Sequence, residues 1–398
     1  MPVSSIIIVP DATHRVGLNA HLLNLTESYR GAGISWYIYH LLEHLEPATD
    51  LAYTVFLSEP HARERFGHCA IALSRLPTHQ PVARIFWEQF VQPIALQRER
   101  IDLLHALAFA GPQVISIPWI ATIYDLSFMR YPQSFNPLNR IYLTWAVRAA
   151  VRRADRLIAI SESTKRDLVA LCGALPERVS VIYCGKDAAF VPATDRAALD
   201  AWRTARGAPE KMILFVGTLE PRKNVVRLLR AFARAKRAAR LPHKLVLIGA
   251  RGWKYAEVDT VIAQEEIAND VIFAGYVPQD ELPRWYQAAD LFVYPSLYEG
   301  FGMPPLDAMA CGTPVVTSNA ASLPEVVGDA AIQIAPEDET ALTDALVHAL
   351  TDRAQREQMI ARGLTQAAKF SWTRAGRETA ALYRAVLSER QGVLHASQ

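Results

Sequence analysis

The stretch YEGFGMPPLDAMACGTPVVTS at residues 298–318 sets a carboxylate, a glycine turn, a helix start and an apolar strand one after another. Pro304 and Pro305 have a fixed φ and no amide hydrogen, which suits the first turn of a helix. The spacing predicts a helix over residues 303–311, ended by Gly312. The turn before it, Gly300-Phe301-Gly302, has little side-chain bulk. Its amides can approach a ligand closely and add to the unpaired N–H groups of the helix start. Such a helix end attracts anions, phosphate above all. Glu299 falls just outside this phosphate position and Asp307 about one helical turn inside it. Carboxylates beside a diphosphate do not bind it; they read as acceptors for sugar hydroxyls.

Outward from this segment, the second half of the chain alternates. A continuous apolar run, KMILFVG at 211–217, is followed by helical periodicity over 225–237. Strands at 244–249, 271–276 and 291–295 then alternate with helices at 257–266 and 280–289. Strand and helix in strict turn mean a parallel sheet covered on both faces. No G-x-G-x-x-G opens this domain, which argues against a nicotinamide enzyme. Between the first strand and helix lies TLEPRKN at 218–224. Arg222 and Lys223, just past a strand end and opposite a helix start, suit a diphosphate whose charge grows as it leaves. Cations there oppose the helix dipole, so a purely structural reason for them is weak.

The first half is less regular. SIIIVP at 5–10 and RVGLNAHL at 15–22 are strand candidates, and a glycine turn with Gly31 and Gly33 leads into a helix over 34–45. Further strands are expected at 101–106, 119–124, 156–161 and 179–183. Asp125 ends the second of these, where open parallel sheets bind ligands, although capping a helix is an equal reading. Over 138–156 a helix would place Arg140, Arg148 and Arg152 on one stripe, with Trp145 near it and Arg153 and Arg156 alongside. A solvated face is the simpler reading; a patch for anionic lipid head groups or a lipid-phosphate acceptor is the sharper one. His40, Glu43 and His44 spell H-x-x-E-H, the pattern of inverted zinc proteases. That helix needs its apolar stripe for the core and no further ligand constellation accompanies it, so no metal is expected.

Length and composition set the frame. A chain of 398 residues with 51% apolar composition supplies two cores of ordinary size. No run approaches a membrane-spanning length, and the start lacks the charged-then-apolar order of a secretion signal. A net charge of +2 is too mild to indicate nucleic acid. Cys69, Cys172, Cys184 and Cys311 show no C-x-x-C spacing, so neither a zinc ribbon nor a disulfide framework is indicated. A reduced cytosol is the simplest compartment.

Glu299, seven residues and the acid Asp307 resemble the E-x7-E signature of the retaining family 4 glycosyltransferases. The flanking GFGMPPLDAMACGTPVV resembles that family's EGFGLPPLEAMACGTPVV, and residues 217–224 resemble its G-x-x-x-x-R-K-N motif. TIYDLSFMRYP at 122–132 is similar to the family's TIHDLSFLRYP. The resemblance implies an α/β chain of the GT-B fold, with two Rossmann-like, doubly wound parallel-sheet domains facing a cleft. Residues 1–190 with a crossing helix at 373–398 would be the acceptor side, and residues 191–372 the nucleotide-sugar side. It places Glu299 on the transferred sugar, with Asp125 a second catalytic candidate. Arg222, Lys223 and the turn Gly300, Phe301 and Gly302 would hold the donor diphosphate, with Gly31 and Gly33 close by. Asp307 would meet the ribose, Tyr276 and Val277 the nucleobase, and Tyr124 the donor sugar.

Two positions depart from the pattern. Asp307 is one methylene shorter than the usual Glu, which bears on nucleotide affinity. Tyr124 replaces a His with a phenol that stays neutral to about pH 10. The implied function is retaining, metal-independent and cofactor-free transfer of a hexosyl group, mannosyl favoured. The donor would be GDP-mannose first and UDP-glucose second, and the acceptor a hydroxyl of a carbohydrate or lipid-linked glycan in polysaccharide or glycolipid assembly. The expected location is cytoplasmic, with peripheral contact at the inner membrane face. The rival readings are a GT-B epimerase or phosphorylase, and a catalytically reduced nucleotide-sugar-binding protein.

Overall fold

Leu103–Ala106, Trp119–Ile123 and Met212–Val216 are buried along almost their whole length, the state of strands covered by helices on both faces. These and the other strands belong to a computed structural model that describes residues 14–24, 33–46, 48–59, 61–252 and 256–396. The expected strand at 5–10 and Gly31 lie outside the described residues. The chain divides into two compact units, one of Met1–Gly185 with Trp372–Gln398 and one of Lys186–Ser371.

The first unit holds a seven-stranded parallel sheet: β1 (His14–Asn19), β2 (Leu51–Leu57), β3 (Ala70–Leu73), β4 (Leu103–Ala106), β5 (Trp119–Ile123), β6 (Arg156–Ala159) and β7 (Val179–Val181). Their order is β3-β2-β1-β4-β5-β6-β7. The second unit holds β8 (Met212–Val216), β9 (Lys244–Ile248), β10 (Val271–Gly275), β11 (Leu291–Tyr294), β12 (Val315–Ser318) and β13 (Ile332–Ile334), ordered β10-β9-β8-β11-β12-β13. Both sheets start in the middle, run to one edge, then return and run to the other. That reversal is the doubly wound order, and it leaves a crevice outside the strand ends where neighbouring connections part. In the second unit it lies between β8 and β11, which pair through Ile213 with Leu291 and Leu214 with Phe292.

The last helix, Trp372–Ala396, completes the first unit. Gly376 lets it approach the end of the helix Ile34–His44, because a Cβ there would run into the His44 carbonyl. Tyr383 reaches buried His105, whose Nδ1 lies 2.7 Å from the phenol oxygen and whose Nε2 lies 2.8 Å from Thr122 Oγ1. Burial pulls the His105 pKa down to about 3, so the ring is neutral. Arg384 pairs with Asp50 at 2.6 Å.

Candidate functional site

The loops leaving β8 and β11 are stitched to each other at the crevice. Leu297 N donates to Arg222 O at 2.8 Å, and Asn224 Nδ2 donates to Pro295 O at 3.0 Å and Pro336 O at 2.7 Å. Pro221–Lys223 forms a single tight turn that aims two adjacent cations at the second loop. Lys223 Nζ donates to Glu299 Oε1 at 2.7 Å, and Arg222 Nη1 donates to Glu299 Oε2 at 3.0 Å. Lys223 also donates to the Tyr294 hydroxyl at 2.6 Å, while Arg222 donates to Tyr298 O at 2.6 Å and to Glu220 Oε1 at 2.7 Å. Glu299 and Lys223 are buried.

Burial alone would raise the Glu299 pKa; the Arg222 and Lys223 charges outweigh it and hold the carboxyl at about 2. Burial lowers the Lys223 pKa, against the pull of Glu299. With its contact to Glu299 at 2.7 Å, Lys223 is an ammonium at neutral pH. The two cations assigned from sequence to a diphosphate are thus held by Glu299 and Glu220. Two positive and two negative side chains form a compensated, desolvated cluster.

Immediately after Glu299, Gly302 takes φ +116 and opens the helix Met303–Ala310 with no side-chain cap. A Cβ on Gly302 would stand 2.8 Å from Leu323 Cδ2, so the tight approach as well as the positive φ requires glycine. Ser322 pins this turn: its hydroxyl lies 2.9 Å from Glu299 O and 2.6 Å from Phe301 O, to which it donates. Phe301 is buried and packs edge-on against Phe370 at 5.6 Å between centroids. Gly300 is buried with it.

Asp307, in the second turn of that helix, is partly exposed. Burial and the Asp187 carboxylate push its pKa well above the usual range, with Lys186 opposing. A sugar hydroxyl donates best to the ionised acid, so if Asp307 takes the ribose, as the family resemblance implies, nucleotide binding should tighten as pH rises through this elevated pKa. Titrating a nucleotide at a series of pH values checks this. The expected affinity rises with pH in wild type and is flat in Asp307→Asn.

Beyond the third strand of this unit, Tyr276 is half exposed and Val277 buried. With Arg206, Pro278 and Trp285 they line a cavity of about 340 Å³, which includes none of Glu299, Arg222 or Asp307.

In the first unit, Tyr124 donates its hydroxyl to the Leu107 carbonyl and packs edge-on against Tyr37 at 5.0 Å. Its proton is committed to backbone. Asp125 Oδ1 accepts from Ser127 N at 2.8 Å and Ser127 Oγ at 2.6 Å, an Asx turn just ahead of the short helix Ser127–Arg130, whose N-cap position is Leu126. Gly33, at φ +64, precedes the helix Ile34–His44 with nothing near the position of a Cβ. On that helix, ligand atoms of His40, Glu43 and His44 come within 4.8 Å of one another. His40 is buried, however, and stacks on Trp372 at 5.2 Å and on Trp36 at 5.6 Å, while His44 Nδ1 lies 2.8 Å from His40 O. Packing explains His40 as an aromatic core residue.

Tyr294, Glu220 and Ser322 complete the cluster and were not singled out from sequence. Tyr294 closes the strand LFVY, and its position next to the loop of Glu299 was the available signal. Ser322 lies 23 residues beyond Glu299 and carries no local signal.

The model of the group 1 glycosyl transferases matches residues 200–366, and that of Glycosyltransferase Family 4 matches residues 31–190. The O-antigen chain mannosyltransferase B of Escherichia coli is 34% identical over 268 residues, covering 67% of this chain and 70% of that protein. The serotype-specific mannosyltransferase WbdA of Escherichia coli is 32% identical over 230 residues; the match covers 56% of this chain and only 28% of that longer protein. Among solved structures, the sucrose-phosphate synthase of Thermosynechococcus elongatus superposes with a TM-score of 0.77 at 22% identity, over 94% of this chain and 100% of that one. With two Rossmann-like sheets and these matches across both halves, the chain belongs to the group 1, family 4 glycosyltransferases and has the GT-B fold.

Proposed function

We propose that this glycosyltransferase moves a mannosyl unit from GDP-mannose to a hydroxyl of a growing glycan, with retention of configuration and without a metal. The observation that carries the reading is the buried Arg222–Lys223–Glu299 cluster beside the uncapped helix start at Gly302. The helix N-terminus offers positive potential to the donor diphosphate, and the N–H groups of Arg222 and Lys223, fixed by Glu299 and Glu220, stand ready as donors before the charge develops. Glu299, ionised throughout the neutral range, accepts hydrogen bonds from hydroxyls of the transferred sugar and orients its anomeric carbon. The bond from that carbon to the diphosphate oxygen breaks. The acceptor oxygen bonds to the same face, and its proton passes to the departing phosphate. Asp307 takes the ribose, and the loop of Tyr276 and Val277 meets the base. The mannosyl preference follows the two Escherichia coli relatives, and UDP-glucose is the second donor to test.

Nucleotide sugars added to the protein test this directly. GDP-mannose should raise the melting temperature by several degrees at about a hundred times its Kd, more than UDP-glucose does. Lys223→Ala should remove the shift. Product made with an acceptor glycan should keep the donor's anomeric configuration by NMR and form equally in EDTA. Tight nucleotide binding without turnover on any acceptor would favour the catalytically reduced reading.

A further inference from the structure

Val82, Phe86, Phe90 and Ile94 recur every four residues through Pro81–Phe86, Trp87–Val91 and Gln92–Arg98, a continuous helical run with one π turn at its centre. All four are exposed, and the rings of Phe86 and Phe90 lie 5.2 Å apart. The other side of the run is spent on the core, where Trp87 and Leu96 are buried. The helix Pro137–Arg153 divides in the same way. Val147, Ala150 and Val151 enter that same core, while Leu138, Ile141 and Trp145 face outward. Exposure across these seven side chains runs from 44% at Trp145 to 82% at Val82.

The two outward faces belong to one surface. Arg84 on the first run stands beside Tyr142 on the second helix. Gln113 N donates to Gln89 Oε1 at 3.0 Å, and Gln113 O accepts from Arg153, so one loop bridges both elements. Next to that bridge Val114 is also exposed. A soluble surface seldom shows so much clustered apolar side chain without a partner.

Charge says which partner. Three and seven residues beyond Trp145, the same helical stripe continues as exposed Arg148 and Arg152, and four residues beyond Ile94 stands exposed Arg98. Exposed Arg140 sits beside Leu138 and Ile141. The two elements contain a single carboxylate, Glu88, and it is buried. Arg156, expected alongside this stripe on a helix over 138–156, is not on it: the helix ends at Arg153, and Arg156, already in β6, pairs with Glu389 at 2.6 Å.

An aromatic and aliphatic face with arginines along its flank and no exposed acid is the composition of helices that lie in the interface of an anionic membrane. No helix among the described residues is long and apolar enough to cross one. We infer that this face of the first unit docks on the surface of an anionic lipid bilayer, burying the phenylalanines and Trp145 among the head groups while Arg98, Arg148 and Arg152 meet lipid phosphates. The inference stands independently of the donor and acceptor proposed above.

Co-sedimentation with vesicles tests it, using phosphatidylcholine alone and phosphatidylcholine with added phosphatidylglycerol. Wild type should pellet with the anionic vesicles, less with the neutral ones, and less again at high salt. Arg148→Ser/Arg152→Ser should lower partitioning by about fivefold for each arginine removed. Phe86→Ser/Phe90→Ser should weaken binding to both kinds of vesicle. These side chains are exposed, so melting temperatures should match wild type and exclude misfolding as the cause. Wild type left in the supernatant, or binding indifferent to both double variants, overturns the inference. So does a concentration-dependent dimer that the phenylalanine variant dissolves, since a second copy would then be the occupant.

Discussion

Glu299→Ala should lower kcat/KM for sugar transfer by about a thousandfold and weaken the fold at the same time. The first effect follows from the role proposed for Glu299, the acceptor for the sugar's hydroxyls. The second follows from the cluster itself: Lys223 and Arg222 lose the carboxylate they hold at 2.7 and 3.0 Å, and Lys223 is left buried with only the more distant Glu220, already paired with Arg222, as counter-charge. Breaking one side of such a buried pair costs about 3 kcal/mol. Denaturant unfolding reads the stability term without any substrate, so the structural and catalytic parts are measured apart. Lys223→Ala should cost a similar amount alone, and the double variant less than the sum of the two. The pH dependence has a definite sign. The folded carboxyl sits at about 2 against an ordinary 4.5, so its stabilisation is complete above pH 4.5 and is lost as pH falls toward 2. Glu299→Gln should lack that limb of the acid unfolding curve.

Gly302→Val should be the most damaging change in the glycine turn. A branched side chain at φ +116 costs backbone strain, and its Cβ meets Leu323 Cδ2 at 2.8 Å, so overpacking is added. Together these come to about 3 kcal/mol. On the proposed role of this turn the damage reaches the ligand as well, because relieving the clash moves the first amides of the helix Met303–Ala310, which are proposed to face the donor phosphates. Thermal melts should show a drop of several degrees, and nucleotide titration should show binding lost even where the protein remains folded.

The second sheet is readable because its strands are buried on both faces, so runs such as MILFV and LFVY need no alternation to stand out. Observed ends fall within a few residues of those expected, as for Met303–Ala310 against 303–311. The first sheet is harder. LAYTVFL has the β-branched and aromatic composition of a strand and went unused, while its neighbour Ala70–Leu73 is a short edge with no buried residue and carries little pattern. The π turn at Trp87–Val91 has no residue signature; it is a matter of hydrogen-bond register alone. In the candidate site, Arg222, Lys223 and Glu299 were each visible as chemistry, yet their mutual pairing was not, since it joins loops separated by more than seventy residues. Asp125 is ambiguous for another reason: capping and sugar contact ask for the same carboxylate after the same strand, and only coordinates show one oxygen already engaged by Ser127.

The closing helix Trp372–Ala396 gives the chain a timetable. The second unit is one uninterrupted segment, Lys186–Ser371, whereas the first is written in two instalments with that segment between them. On the ribosome, the seven strands made before the second unit must wait for a helix made after it. Until then, Tyr383 is missing from buried His105 and Arg384 from Asp50. The second unit can be finished before the first, so a chain cut just before Trp372 leaves the first unit, rather than the second, incomplete.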